Sequence, residues 1–165
     1  MKKRWSFYLL VGVLFGVFDF YFQTWIYQLF PMGTRSITML VPILGVWLGL
    51  VMPIAIHEGK TSGSVWPAAA SSAFTWSVSV VAYYLFMGVN LIFIGLASRA
   101  EMHISNLNDP NYWNNIKNFF VGDLLSGVSE WIIVALVGGS LVGLMIGFVT
   151  LRAKRTSIFS NSQVT

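Results

Sequence analysis

Four long apolar stretches, separated by shorter polar segments, run along this chain. A hydrocarbon core about 30 Å thick requires roughly 20 residues of apolar helix, and each stretch reaches that length. The pattern therefore predicts an all-α polytopic membrane protein that crosses the bilayer as a bundle of four helices. The predicted spans cover residues 5–30, 37–56, 67–97 and 119–151.

Prolines and polar residues refine the ends of these spans. Pro42 and Pro53 lie inside the second span, where neighbouring helices can satisfy the carbonyl groups that a proline leaves free. Pro67 stands in the first turn of the third span, which is a favourable position for proline. A polar loop, residues 98–118, precedes the fourth span, and we expect a short interfacial helix around residues 112–117. The first span is too long for a signal-peptide core and is predicted to stay uncleaved.

The distribution of Lys and Arg predicts the orientation. Seven of them lie at the amino terminus, at Lys60 and in the tail formed by residues 152–165. Three lie on the opposite side, at Arg35, Arg99 and Lys117. Because cytoplasmic loops carry the excess of basic residues, both termini are expected in the cytoplasm. Residues 1–151 would then form a single transmembrane domain, followed by a polar cytoplasmic tail.

Composition supports a lipid environment and excludes several function classes. The 165 residues are 56% hydrophobic and only 10% charged, against about 25% charged in a soluble domain. The net charge of +4 resides at chain ends and span flanks, so it indicates membrane topology rather than nucleic-acid binding. Without cysteine there is no disulfide or thiolate metal site. Compact size, a Lys-rich start and the lack of a glycosylation acceptor favour the cytoplasmic membrane of a prokaryote.

Asp19 is the sharpest candidate for chemistry. It lies about 22 Å along a helix from Arg4 and about 18 Å from Pro31, close to the middle of the first span. A charged group at that depth costs roughly 2.5 kcal/mol or more, so an acid there is a functional hypothesis. Gly12, Gly16, Asp19 and Gln23 fall on one narrow stripe, which should face the interior of the bundle.

Other polar residues are expected to meet this stripe in the outer half of the bundle. Tyr83 and Asn90 share one face of the third span, and Glu130 lies near the outer edge of the fourth. Asp123 falls on the same face as Glu130, further out, where water can reach it. The predicted cluster consists of Asp19, Gln23, Tyr83, Asn90 and Glu130.

Three interpretations of this cluster stay open on sequence grounds. It could bind a cation, a proton or an amine in a pocket open to the outside. Alternatively, Asp19 could stay protonated or hydrogen-bonded and only hold helices together. As a third possibility, Asp19 could pair with a basic residue of a partner subunit.

Glycines at a spacing of four predict close helix packing. Gly139, Gly143 and Gly147 form a run of three in the fourth span, and Gly45 and Gly49 form a single pair in the second. The sequence leaves open whether these faces pack within one chain, in a homo-oligomer or against a partner membrane protein.

Enzymatic chemistry has little support in the sequence. The chain has no serine nucleophile elbow, no zinc-binding His-Glu-x-x-His helix and no phosphate-binding loop. Glu101, His103 and Asp109 match no metal-binding pattern, and no cofactor is expected. Glu58 and Lys60, beyond the second span, are expected to be solvated loop charges. A transport-related protein or subunit is therefore favoured, with a regulatory, assembly or immunity-type interaction protein as the alternative and a lipid-acting enzyme third.

Overall fold

The computed structural model describes residues 2–29, 37–93 and 108–161 of the chain. Within these ranges every regular element is a helix, as the apolar pattern predicts. The elements are α1 (Lys2–Leu29), α2 (Ile37–Ser62), α3 (Val65–Phe93), α4 (Tyr112–Asn118), a π-helical segment (Phe119–Leu125) and α5 (Ser126–Asn161).

Four helical stretches are long and apolar enough to cross a membrane, by length and composition. Their outward faces carry large apolar side chains, such as Leu14 and Phe18 on α1 and Leu141 and Met145 on α5. A water-soluble protein rarely exposes so much contiguous apolar surface. The four helices therefore suggest a membrane protein.

A glycine turn joins α2 to α3. Gly63 adopts a left-handed conformation with φ 67°, and its N–H donates to the carbonyl of Gly59 at 3.2 Å. This arrangement ends α2, because glycine takes the left-handed conformation without a steric penalty. Helix α2 thus continues to Ser62, and residues from His57 onward belong to it, whereas the sequence-based interpretation placed a loop there.

The start of the fourth apolar stretch is more complex than predicted. The short helix α4 covers the expected position around residues 112–117. The π-helical segment Phe119–Leu125 then connects it to α5. Such segments are rare and frequently occur at functional sites. At its other end α5 continues through the basic residues to Asn161, so the tail is helical further than residue 151.

The helices α1, α2 and α5 all pack against α3. Helix α1 is parallel to α3, because Gly12 meets Thr75 and Gly16 meets Ser79. Helix α5 is antiparallel to α3, and α2 is antiparallel to α1. The starts of α1 and α3 and the ends of α2 and α5 therefore meet at what we call the terminal end. The opposite half, which includes α4 and the π-helical segment, is called the loop half.

The glycine run of α5 packs within the chain. A Cβ atom at Gly139 would lie 2.7 Å from the Cα of Ala73, and one at Gly143 would lie 2.6 Å from the Ala68 carbonyl oxygen. Gly147 lies against Ala68 and Val65 in the same way. Small residues on both helices thus let the α3 and α5 backbones approach closely.

The other glycine pairs divide into two cases. Gly12 and Gly16 are buried against α3, where a Cβ at Gly12 would lie 2.9 Å from the Thr75 carbonyl oxygen. Gly45 and Gly49 do not pack against another described helix, since a Cβ at either position would meet nothing within 4 Å among the described residues. This pair faces away from the bundle, so it contributes no helix packing within the described chain.

Candidate functional site

A cavity of about 420 Å³ lies in the loop half, between the two buried apolar clusters of the bundle. All four long helices and the π-helical segment contribute to its wall. Its polar lining residues are Asp19, Gln23, Tyr83, Tyr84, Asp123, Ser126 and Glu130, and its remaining lining residues are Ile43, Trp47, Val80, Met87, Gly122, Gly127 and Trp131.

A hydrogen-bonded chain ties the deepest acid to the neighbouring helix. Asp19 is 0% exposed, and its Oδ2 accepts a hydrogen bond of 2.8 Å from Nε2 of Gln23, one turn further along α1. The Gln23 Oε1 in turn accepts a hydrogen bond of 3.1 Å from the Tyr83 hydroxyl of α3. The glycines that precede Asp19 allow α1 to approach α3 closely enough for this contact. Gln23 thereby orients the carboxyl group of Asp19.

Two further carboxyl groups border the same cavity. Asp123 in the π-helical segment and Glu130 in α5 are both exposed, in contrast to Asp19. The Ser126 hydroxyl donates to Oε1 of Glu130 at 3.3 Å. No lysine, arginine or histidine occurs among the described lining residues. The cavity therefore has a buried acid in its wall and two exposed acids at its edge.

Aromatic rings form much of the remaining wall. Trp47 of α2 is almost fully buried and stacks on Trp76 of α3, with ring centroids 5.4 Å apart. Tyr84 and Trp131 border the cavity from α3 and α5. The Trp47 Nε1–H has no hydrogen-bond partner among the described residues, although this ring lines the cavity. Aromatic faces are electron-rich and attract cations.

The structure brings together four of the five residues in the predicted cluster. Asp19, Gln23, Tyr83 and Glu130 line one cavity, although three different helices supply them. Asn90 does not take part: it is buried two turns further along α3 and is absent from the lining. Helical periodicity placed Asn90 on the correct face of α3, but it did not indicate where along that face the cavity ends.

Glu58 contradicts its sequence-based assignment as a solvated charge. It is only 6% exposed, and its Oε1 accepts a hydrogen bond of 2.7 Å from the Tyr8 hydroxyl. Arg4 forms an ion pair with the same oxygen at 3.4 Å. Lys60, in contrast, is exposed as expected. The ion pair between Arg4 and Glu58 joins the start of α1 to the end of α2. No local sequence pattern predicts such a long-range contact.

Sequence analysis also missed the aromatic lining. Trp47 and Trp131 lie deep in their predicted spans, where an interfacial position does not explain a tryptophan, and that mismatch was the available signal. Asp123 is exposed, as expected, and it also lines the edge of the cavity. Glu101 and His103, the first two members of the disfavoured metal set, lie outside the described residues.

A second cavity, of about 570 Å³, lies between α1 and α3 and is lined almost wholly by apolar side chains. Ser77 is its most polar lining residue. None of the described residues that line this second cavity is ionisable, so the cavity around Asp19 is the candidate for chemistry.

Comparison with known proteins adds no relative: no family model, no curated protein and no solved structure matches the chain. The cavity and its side chains are therefore the features of the molecule that bear on function.

Proposed function

We propose that this chain is an integral protein of a prokaryotic cytoplasmic membrane that binds a cation in the cavity around Asp19 and serves transport, as a transporter or as a membrane subunit of one. The proposal includes no catalytic step. Both termini lie in the cytoplasm in this scheme, and the cavity belongs to the outer half of the bundle. The excess of basic residues near the terminal end supports this orientation.

One observation carries the proposal: a carboxyl group with 0% exposure borders a cavity of about 420 Å³ that two further carboxyl groups also line. A buried acid in lipid is costly and tends to mark an ion or substrate pathway. Acids lining one cavity attract a cation by their summed field. A purely structural acid needs no such cavity beside it.

The alternative of a protein that docks a partner through Asp19 has less support. Asp19 borders the cavity between the helices and does not lie on the lipid-facing surface of the bundle, so a basic residue of a subunit packed against that surface would not contact it. The glycine runs at Gly12 and Gly16 and at Gly139 and Gly143 are occupied by α3. A binding measurement distinguishes a purely structural role of Asp19 from a role in binding.

The test is a binding measurement on the protein in lipid nanodiscs. Isothermal titration calorimetry measures the binding of Na⁺, K⁺, Mg²⁺ and benzyltrimethylammonium to the native chain and to Asp19→Asn. A pH titration of both proteins measures proton binding. The amide keeps the shape and hydrogen bonds of the side chain but removes its charge. Asp109→Asn is the matched control, because Asp109 lies outside the cavity and its Oδ1 accepts the Asn111 N–H.

We expect at least one of these cations to bind the native chain and the Asp109→Asn variant alike, and to bind Asp19→Asn far more weakly. Uptake of that cation into proteoliposomes then tests transport. If no cation shows binding that depends on Asp19 while the variant stays folded, the acid is structural and the proposal is wrong.

A further inference from the structure

The walls of the cavity differ from those of an inorganic cation site. Calcium takes six to eight oxygen ligands at about 2.3–2.6 Å, which demands a tight cage. Here the acids border a space of about 420 Å³, and Asp123 and Glu130 are exposed at its edge. That volume lies within the range of small-molecule pockets, roughly 300–1,000 Å³. The space therefore suits an organic molecule better than a bare ion.

The chemical character of the lining narrows the class further. Trp47, Tyr83, Tyr84 and Trp131 present aromatic side chains to the same space as the Asp19 carboxyl group. Aromatic faces combined with a carboxylate are the features that recognise alkylammonium groups. Met87 and Val80 add apolar surface for the rest of such a molecule. An anion would find no lysine, arginine or histidine among the described lining residues.

The buried indole of Trp47 is an independent indication that the cavity is occupied. Trp47 is 3% exposed and lines the cavity, and its Nε1–H has no acceptor among the described residues. A buried donor without an acceptor is unfavourable. A water molecule or an oxygen of a bound molecule in the cavity would accept this N–H, so the observation indicates an occupied cavity and does not decide the class of its ligand.

We infer that the ligand of this cavity is an organic ammonium ion with an apolar or aromatic substituent. This inference rests on the proposed function and names its substrate class. The ammonium group lies on the side of the cavity that Asp19 walls, where the carboxyl group, which Gln23 and Tyr83 hold in place, attracts it by its charge. The body of the molecule contacts Trp47, Tyr84 and Trp131. Asp123 and Glu130 at the edge raise the local concentration of cations.

The test uses benzyltrimethylammonium as the probe, by equilibrium dialysis against the protein in nanodiscs, with empty nanodiscs as the background. Benzyl alcohol is the neutral comparison and KCl is the inorganic one. The variant is Trp131→Leu, with Trp131→Phe to restore an aromatic ring. Trp113→Leu is the matched control, because Trp113 is 77% exposed and does not line the cavity.

We expect saturable binding of benzyltrimethylammonium that benzyl alcohol and KCl do not displace. Trp131→Leu should weaken it by roughly 3- to 30-fold, Trp131→Phe should recover most of the loss, and Trp113→Leu should leave it unchanged. Equal binding by the Leu and Phe variants, or binding no stronger than that of benzyl alcohol, would overturn the inference.

The two proposals fail in distinguishable ways. If Na⁺, K⁺ or protons bind in a manner that depends on Asp19 while benzyltrimethylammonium does not bind, the cation site stands and the organic ammonium class is wrong. If no cation binding depends on Asp19, both proposals are wrong. If Trp131→Leu does not fold, Tyr84→Leu against Tyr84→Phe repeats the same comparison at a lining residue of α3.

Discussion

Two buried carboxyl groups, Glu58 at the terminal end and Asp19 in the loop half, have opposite surroundings. Glu58 accepts a hydrogen bond from Tyr8 and forms an ion pair with Arg4, so the chain itself supplies the cation. Asp19 accepts a hydrogen bond from the neutral amide of Gln23 and borders a cavity that two more acids also line. The contacts of Glu58 join two helices, whereas the position of Asp19 beside a cavity with further acids suits a cation from outside. Burial alone does not distinguish these roles.

The largest expected effect separates the two acids directly. Asp19→Asn should weaken benzyltrimethylammonium binding on the order of 100-fold, because a desolvated charge loses its counterion. Glu58→Gln should leave binding within about twofold, since its side chain can still accept the Tyr8 hydrogen bond. Equilibrium dialysis measures both. Similar losses in the two variants would mean that the comparison is mistaken.

The second largest expected effect is a loss of stability when the packing of α1 against α3 is disturbed. A Cβ at Gly16 would lie 2.9 Å from the Tyr83 backbone nitrogen and also collide with the Ser79 carbonyl oxygen. Gly16→Ala should therefore lower stability by about 2 kcal/mol and disturb the cavity. Gly45→Ala, which meets nothing within 4 Å, is the control and should be neutral or slightly stabilising. Thermal unfolding in detergent compares them, and equal melting temperatures would contradict the packing.

A smaller effect concerns the ion pair of the terminal end. Arg4→Leu leaves the Glu58 carboxylate buried without its cation and should cost about 1.5 kcal/mol, a modest figure because the Arg4 side chain is 43% exposed. Combining Arg4→Leu with Glu58→Gln should recover most of that loss, since the neutral amide needs no counterion and still accepts the Tyr8 hydrogen bond. Unfolding in nanodiscs tests this cycle. Additive losses in the double variant would show that the two residues act separately.

The smallest effect concerns the edge of the cavity. Glu130 is exposed, so its attraction for a bound cation is screened by water and salt. Glu130→Gln should weaken binding by about threefold at low salt, with little difference from the native chain at 1 M NaCl. A loss as large as that of Asp19→Asn would place Glu130, rather than Asp19, at the centre of the site.

The sequence was sufficient for the helices and for most of the acidic site. Apolar length alone predicts the four long helices, and the stripe from Gly12 to Gln23 predicts a face directed at the interior. Both follow from properties that are local in the chain. The sequence also singled out Asp19 and Glu130, since intramembrane acids are rare enough to stand out.

Contacts between distant residues escaped prediction. The partners of Glu58 lie on α1, so the local sequence around His57 indicated only a polar loop. Gly45 and Gly49 have the same spacing as the packed pairs, and the spacing does not say which face meets a neighbour. The π-helical segment and the aromatic wall also depend on how α5 lies against α2 and α3, which periodicity does not encode.

Carbodiimide labelling tests the central claim most directly, because it compares both acids in one sample. The protein in nanodiscs is treated with dicyclohexylcarbodiimide, with and without benzyltrimethylammonium, and peptide mass spectrometry measures the modification of each acid. The account predicts that Asp19 reacts and that the ammonium ion protects it, while the modification of Glu58 does not change. Labelling of Asp19 that is insensitive to the ammonium ion, or equal protection of Glu58, would contradict the claim that the cavity around Asp19 binds an external cation.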